Sequence, residues 1–416
     1  MTEPTIVVHH REQLAELLTE AVEVEHNLMC CYLYAAWSLK RRPEEGLTQE
    51  QADRISRWRR VILNVAIDEM THFANANNLL SAIGARPRLG RPNFPVSPGY
   101  HPAEVLVALH PFNRSTIDHF VYLERPQGVE LPDGSDFVHD RHYVRATHAS
   151  MLMPSAQDFE TVGRLYRGIR DGFEHLTHEH SERALFIGDP SQQITPELVS
   201  LDGLTPVSDL ASAIQAIDNI VEQGEGSTED SASSHYQLFC GIRDEYAAML
   251  AADPSFEPAR PVAKNPVQRR PPSPEGKTWV QHELAASALD LGNAIYNHML
   301  RLLGSVYEPI PPEARAALVE EAIGLMKLLD PVNEVLTTSP IASGATMTAG
   351  LSFAVTREVR VPAASSAIAV LEEADPRARG RRDEARERGA HVGGCRAGAR
   401  SDGESPLEAP EPHAGC

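Results

Sequence analysis

The chain has 416 residues, 38 of them basic and 58 acidic, for a formal net charge of −20. Such a surface repels phosphate backbones and anionic headgroups, which argues against nucleic acid or a membrane as partner. The length allows one large or two ordinary domains, and no apolar run is long enough to span a bilayer. The start, MTEPTIVVHHREQ, lacks the basic-then-apolar pattern of an export signal, and the five cysteines form no C-x-x-C pair. Thiols kept reduced in the cytoplasm are the expectation.

The first predicted helix covers residues 11–40. On it Leu14, Leu18, Ala21, Leu28, Tyr32, Ala35 and Leu39 recur at alternating spacings of three and four, the seam of a helix packed along another. The seam position between Ala21 and Leu28 is Glu25. A second helix runs from about Thr48 to a left-handed cap at Gly84. Its stripe of Ile55, Trp58, Ile62, Val65, Ala76 and Leu79 is interrupted by Glu69 and His72. The short loop between the helices makes them antiparallel neighbours and brings Glu25 and Glu69 to similar heights. A buried, unpaired carboxylate costs several kcal/mol or neutralises itself. Glu69-x-x-His72 is the pair that carboxylate-bridged di-metal bundles project inward. A single glutamate on an apolar stripe is often turned outward or locally paired, and E-x-x-H recurs by chance. Two successive seams interrupted in this way are harder to obtain by accident, and a metal ion compensates both.

Residues 86–112 are proline-rich and suit a crossover along a bundle. Ser115 is the expected cap of a helix over 115–126, on which Ile117, Phe120, Val121 and Glu124 fall at i, i+3, i+4 and i+7. Glu124 is either a further ligand or the partner of an arginine such as Arg125. The irregular stretch 127–154 has the length of a lid and carries His139, His142 and His148, which read as surface histidines. A third long helix is expected over 156–179, with Phe159, Val162, Tyr166, Ile169, Phe173 and Leu176 on its seam. Glu160 lies on its flank, and EHLTHEH at 174–180 reads as a solvated end. Leu210, Ile214, Ile217 and Val221 mark another helix, broken by the two glycines of EQGEGS at 222–227. Its stripe extends to Glu225, with Glu222 in reserve. The next helix starts near Ala232, with His235, Phe239, Ile242, Tyr246 and Met249 on its seam. A lone histidine there is commonly a satisfied core residue, unless a two-metal site needs a second imidazole. Residues 254–279 are Pro/Arg-rich, a linker or an extended wrap. Two plain amphipathic helices follow, 280–303 with Leu284, Ala288, Leu291, Ile295, Met299 and Leu302 inward, and 313–329. Residues 373–416 have the composition of a disordered tail. The expected division is a metal-binding bundle at 1–253, the linker, an accessory helical region at 280–372 packed on the bundle, and the tail.

Several stretches taken together, EHNLMCCYLY (25–34), EMTHFANANNLLSAIG (69–84), LERP (123–126), TVGRLYRGI (161–169) and SHY (234–236), resemble the ferritin-like family. Within it they are most similar to the iminophenyl-pyruvate dimer synthase-like proteins. The resemblance covers roughly residues 8–249. It implies an all-α, ferritin-like four-helix bundle with a long crossover and additional C-terminal helices. It also implies a dinuclear iron centre, with manganese as the alternative metal, held by Glu25, Glu69 and His72, with Glu124, Glu225 and His235 completing it. This chain departs from the regular pattern in the second half, where Ala232 stands three residues before His235 and Arg164 stands where an acid is expected.

Two functions follow from the resemblance. One is an oxygen-dependent oxidoreductase of natural-product biosynthesis that oxidises, dehydrogenates or couples an amino-acid-derived amine or imine. It would work with a small-molecule substrate and O2, as a homodimer or beside a pathway enzyme, and Tyr32 and Tyr34 are near enough to assist proton or electron transfer. The other is a non-catalytic iron-storage or assembly protein. Substrate-dependent oxygen uptake separates the first from the second.

Overall fold

A computed structural model describes residues 6–97, 99–101, 106–138, 157–226 and 233–356. His139, His142 and His148 and the 373–416 tail lie outside the described residues. Helix α1 is Arg11–Ser38 and α2 is Gln49–Ala82. Thr48 and Gln51 cap α2 reciprocally, each side chain accepting from the other's backbone N–H, and Gly84 follows with a φ of +80°. That left-handed geometry is costly for any residue with a β-carbon and ends the helix there. The seam residues of both helices, from Leu14 to Leu39 and from Ile55 to Leu79, are 2% exposed or less at every apolar position named above.

The other two positions of the bundle are filled by helices broken in the middle. One holds α3 (Arg114–Leu123) and α4 (Val162–His180), followed by the single turn α5 (Glu182–Leu185). The other holds α6 (Leu210–Gly224) and α7 (His235–Ala252). Helix α3 packs on α7 and α4 packs on α6. The end of α3 meets the start of α7, and the start of α4 meets the end of α6. Both breaks therefore fall at one level of the bundle.

The apolar core is split at that level. Leu14, Leu18, Leu79, Tyr166, Phe173 and Ile217 belong to one cluster, and Leu28, Tyr32, Trp58, Ile62, Phe120 and Phe239 to another. Between them, on α1 and α2, lie Glu25, Glu69 and His72. Such a polar layer across a core loses hydrophobic stabilisation at every carboxylate it buries, so its persistence needs a compensating interaction.

Local boundaries differ from expectation in four places. The cap of α3 is Asn113, whose side chain accepts from Thr116 N; Ser115 Oγ instead accepts from Asp136 N. Helix α4 starts at Val162, not 156, because Thr161 caps it by accepting from Arg164 N. The last helix runs on through Pro331 to Thr338. On α8 (Glu283–Val306) the buried face is Ala285, Leu289, Ile295, Tyr296 and Met299, while Leu284 and Leu291 are exposed. The period was right and its phase was off by one in the first two turns.

Residues 254–279 form a wrap. Lys40 N donates to Pro258 O and Arg260 N to Ser38 O, which lays this segment against the end of α1. Two-residue strands β1 (Pro266–Val267) and β2 (Thr278–Trp279) pair in parallel within it. Arg260 clamps the wrap: its guanidinium donates to Glu45 at 2.6 Å, to both Glu334 oxygens at 2.9 Å and to Thr337 at 2.8 Å. Helix α9 (Pro312–Thr338) pairs with α8 and touches α1. Bundle, wrap and helical pair fall within one compact unit, Met1–Leu371. Among the described residues no helix is long and apolar enough to cross a membrane.

Candidate metal centre

Four elements deliver the polar layer. Glu25 sits mid-way along α1, and Glu69 and His72 face it from α2, one turn apart. Glu124 is the C-cap of α3 and His235 is the first residue of α7, so both stand at the helix breaks. All five are buried, at 6% exposure or less.

These side chains form two groups that share one member. Glu25, Glu69 and His72 converge so that one ligand atom of each lies within 4.8 Å of the others, and Glu69, Glu124 and His235 do the same. His72 Nδ1 is 3.5 Å from Glu25 Oε2 and 3.3 Å from Glu69 Oε2. His235 Nδ1 is 3.1 Å from Glu69 Oε1 and 3.6 Å from Glu124 Oε2. Each oxygen of Glu69 thus serves a different group, the disposition of a bridging carboxylate. The two imidazoles stack with centroids 5.4 Å apart. Each imidazole is held from behind: His72 Nε2 bonds Gln223 Oε1 at 2.9 Å, and His235 Nε2 lies 3.4 Å from Asp68 Oδ2. These contacts leave Nδ1 of each ring turned toward the carboxylates, as a metal-binding histidine requires. Tyr32 donates its hydroxyl proton to Glu124 Oε1 and orients that carboxylate.

The charges are unresolved without a cation. Burial, and then the neighbouring Glu69, push Glu25 up to about 8. Burial opposes the charge on His72, yet Glu69 and Glu25 raise it to about 10. Burial likewise opposes ionisation of Glu69, but His72 and His235 hold it below the usual carboxylate range. Glu25 Oε1, Glu69 Oε2 and His235 Nδ1 have no hydrogen-bond partner despite complete burial. Orphaned acceptors within the two ligand groups are what bound cations would satisfy. Three carboxylates and two imidazoles, with no cysteine in either group, suit iron or manganese better than a thiolate-seeking metal.

Of the remaining predicted residues, Glu225 borders the same small cavity without joining either ligand group, and the others sit elsewhere. Glu225, at the C-cap of α6, belongs to neither group; its carboxylate accepts from Arg167 at 3.2 Å and from Thr161 at 3.3 Å. The helix break bends the extrapolated stripe, so Glu225 faces the start of α4 instead of the ligand pair. Glu160 and Glu222 are exposed, as are Glu174, His178 and His180. Arg125 does not pair with Glu124; it donates to the carbonyls of Tyr122 and Glu160. Tyr34 donates to Ala263 O, away from the centre. Asp68, Gln223 and Tyr166 went unnoticed as parts of the site. Asp68, directly before Glu69, was the most findable of them, whereas nothing local marks Gln223.

The sequence matches the ferritin-like family over residues 18–244. It is 30% identical over 354 residues to a 2-imino-3-(indol-3-yl)propanoate dimerase of Chromobacterium violaceum, covering 80% of this chain and 33% of that protein. It is 28% identical over 385 residues to a dichlorochromopyrrolate synthase of Lentzea aerocolonigenes, covering 82% of this chain and 36% of that protein. The chain thus spans about a third of the length of these relatives. A crystal structure of a ferritin-like protein from Caulobacter vibrioides aligns with a TM-score of 0.47 and 19% identity, over 79% of this chain and 98% of that one. With more than half of its length matched by one family, and an imino-acid dimerase and a dichlorochromopyrrolate synthase among its relatives, the chain belongs to the ferritin-like family, in its iminophenyl-pyruvate dimer synthase-like branch.

Proposed function

We propose that this protein is an oxygen-dependent oxidoreductase that couples two aromatic α-imino acids, using a dinuclear iron centre held by Glu25, Glu69, His72, Glu124 and His235. The observation that carries the reading is Glu69, whose two oxygens face two separate ligand groups inside an otherwise apolar bundle. Iron bound there would supply electron transfer between substrate and dioxygen. The net reaction joins two substrate molecules by one carbon–carbon bond; each loses one hydrogen, and O2 takes up both to give H2O2. The names of the two enzyme relatives, one a dimerase of an indolyl imino acid, support the substrate class.

The chain's own residues have defined tasks in this scheme. Gln223 and Asp68 fix the two imidazoles, and Tyr32 fixes Glu124, so little reorganisation accompanies a change of charge at the centre. A small cavity borders the site, walled in part by Leu28, Leu123, Val162 and Ile220.

The test loads the protein anaerobically with Fe(II) and then admits oxygen. The imino acid is generated in place from an L-aromatic amino acid by an amino-acid oxidase. Oxygen uptake above the oxidase background, with a coupled dimer seen by mass spectrometry, is the expected result. Iron oxidation and mineral growth indifferent to substrate would instead make this a storage protein.

A further inference from the structure

The cavity that borders the centre measures about 20 Å3, room for about one water. A molecule the size of O2 fits there and an aromatic imino acid does not. A second cavity, of about 350 Å3, lies between the chain that follows α2 and the last turns of α8. That volume falls in the range of about 300–1,000 Å3 usual for small-molecule sites. Its wall mixes apolar side chains, among them Leu89, Leu300 and Val355, with Arg86, Arg301 and Glu308. Among the described residues, these two guanidiniums and this carboxylate form no ion pair or hydrogen bond, with each other or with any other group. Arg41, Arg59, Arg88 and Arg260, by contrast, each hold a carboxylate. Asp189, the other acid in the wall, is engaged by Ser191 N and Gln192 Nε2. Gly304 stands inside α8, where a glycine weakens a helix. A β-carbon there would meet only Leu89 outside the helix, at 3.8 Å, an ordinary contact. Packing does not demand a glycine at that position; its bare backbone keeps the cavity open. The Leu89 backbone also approaches the imidazole of His26, which follows Glu25 on α1, so this wall is shared with the bundle.

We propose that this larger cavity binds an aromatic α-amino or α-imino acid, its carboxylate on Arg86 and Arg301, its cationic nitrogen on Glu308, and its ring against Leu89 and Leu300. A ligand that carries both charges pairs all three groups at once, and a guanidinium grips a carboxylate through two parallel hydrogen bonds. The aromatic ring and the imine rest on the imine-coupling reading above, whereas the charges and the volume are properties of the cavity itself.

L-Tryptophan, a stable molecule with the same two charges, is the probe. The full chain is dialysed to equilibrium against it without oxygen, beside tryptamine, which lacks the carboxylate, and indole-3-propionate, which lacks the nitrogen. Saturable binding of one L-tryptophan per chain is expected, with both analogues at least about 10-fold weaker. Arg86→Gln and Arg301→Gln should each weaken L-tryptophan about 10-fold, the loss of one charged hydrogen-bonding partner. Glu308→Gln should weaken L-tryptophan and leave indole-3-propionate unchanged. Arg86 and Glu308 are exposed, so their replacement leaves the fold intact. Gly304→Leu should fill the cavity and abolish binding. No saturable binding, tryptamine bound as tightly as L-tryptophan, or variants that all bind like wild type would each overturn the assignment. Binding lost in Glu69→Ala but kept in Gly304→Leu would place the ligand at the metal centre and overturn it too. Because no turnover enters the measurement, binding without coupling in the Fe(II) assay would remove the oxidase reading alone, and coupling that survives Gly304→Leu would remove this one alone.

Discussion

Glu69 is the residue on which both ligand groups depend, and this makes the site's stoichiometry testable. Glu69→Ala should empty both positions while helical circular dichroism is largely kept, because α2 retains its apolar seam on either side. His72→Ala and His235→Ala each remove one ligand of one group, so each should retain about half of the metal by elemental analysis. The protonation states set the pH dependence. Glu25, pushed up to about 8, and His72, raised to about 10, hold protons in the metal-free site and must release them on binding. Metal affinity should therefore fall as pH drops below about 10, more steeply below about 8, and binding in weakly buffered solution should acidify the medium. An affinity independent of pH between 6 and 8, measured by competition with a chelator of known pH response, would mean these groups are not ligands.

Among the elements, α4 is the one whose surface is dictated by a neighbour. Gly168 and Gly172 face the N-terminal segment, where added β-carbons would come within 2.7 Å of Ile6 and 2.8 Å of Val8. That segment is also held by Gln157, whose amide exchanges both of its hydrogen bonds with the backbone of Val7. In an open helix Gly→Ala stabilises by up to about 1 kcal/mol. Here the β-branched Ile6 has little room to yield, and overpacking costs about 1–3 kcal/mol. Gly168→Ala should therefore destabilise the protein by about 1–2 kcal/mol in urea unfolding, against the sign that helix propensity predicts. A stabilised variant would show that Ile6 moves aside freely.

For the molecule as a whole, the divided core and the wrap make two further predictions. A metal bound at the centre would satisfy atoms that folding leaves orphaned, so loading with Fe(II) or Mn(II) should raise the melting temperature and a chelator should reverse the gain. No shift on loading would mean that the polar layer is stable without an ion. Arg260 joins three distant pieces of chain, Glu45 after α1, its own wrap, and Glu334 with Thr337 on α9. Its guanidinium is nearly buried, so Arg260→Ala removes the cation held between Glu45 and Glu334 and leaves Glu334 only its more exposed partners Arg41 and Arg42. A loss of about 3 kcal/mol is expected from equilibrium unfolding; a loss below about 1 kcal/mol would reduce the clamp to an ordinary surface ion pair.

Periodicity alone determined α1, α2 and the polar positions on them, because a helix seam is a short-range pattern and a carboxylate on it stands out against aliphatic neighbours. Glu25, Glu69 and His72 were legible for that reason, and the motifs around them placed the chain in its family. Glu124 and His235 were candidates whose convergence no spacing could establish, since 110 positions of chain separate them and each stands at a helix break. Extrapolating a stripe through such a break brought Glu225 to the cavity beside the centre but into neither ligand group, because a 100° step per residue holds only while the helix continues. Asp68, Gln223 and Arg167 act through partners on other helices, and a pairing across space leaves no mark in local sequence. Tertiary packing alone decided which acids face the centre and which arginines take the others, because it sets the distances at which charges compete.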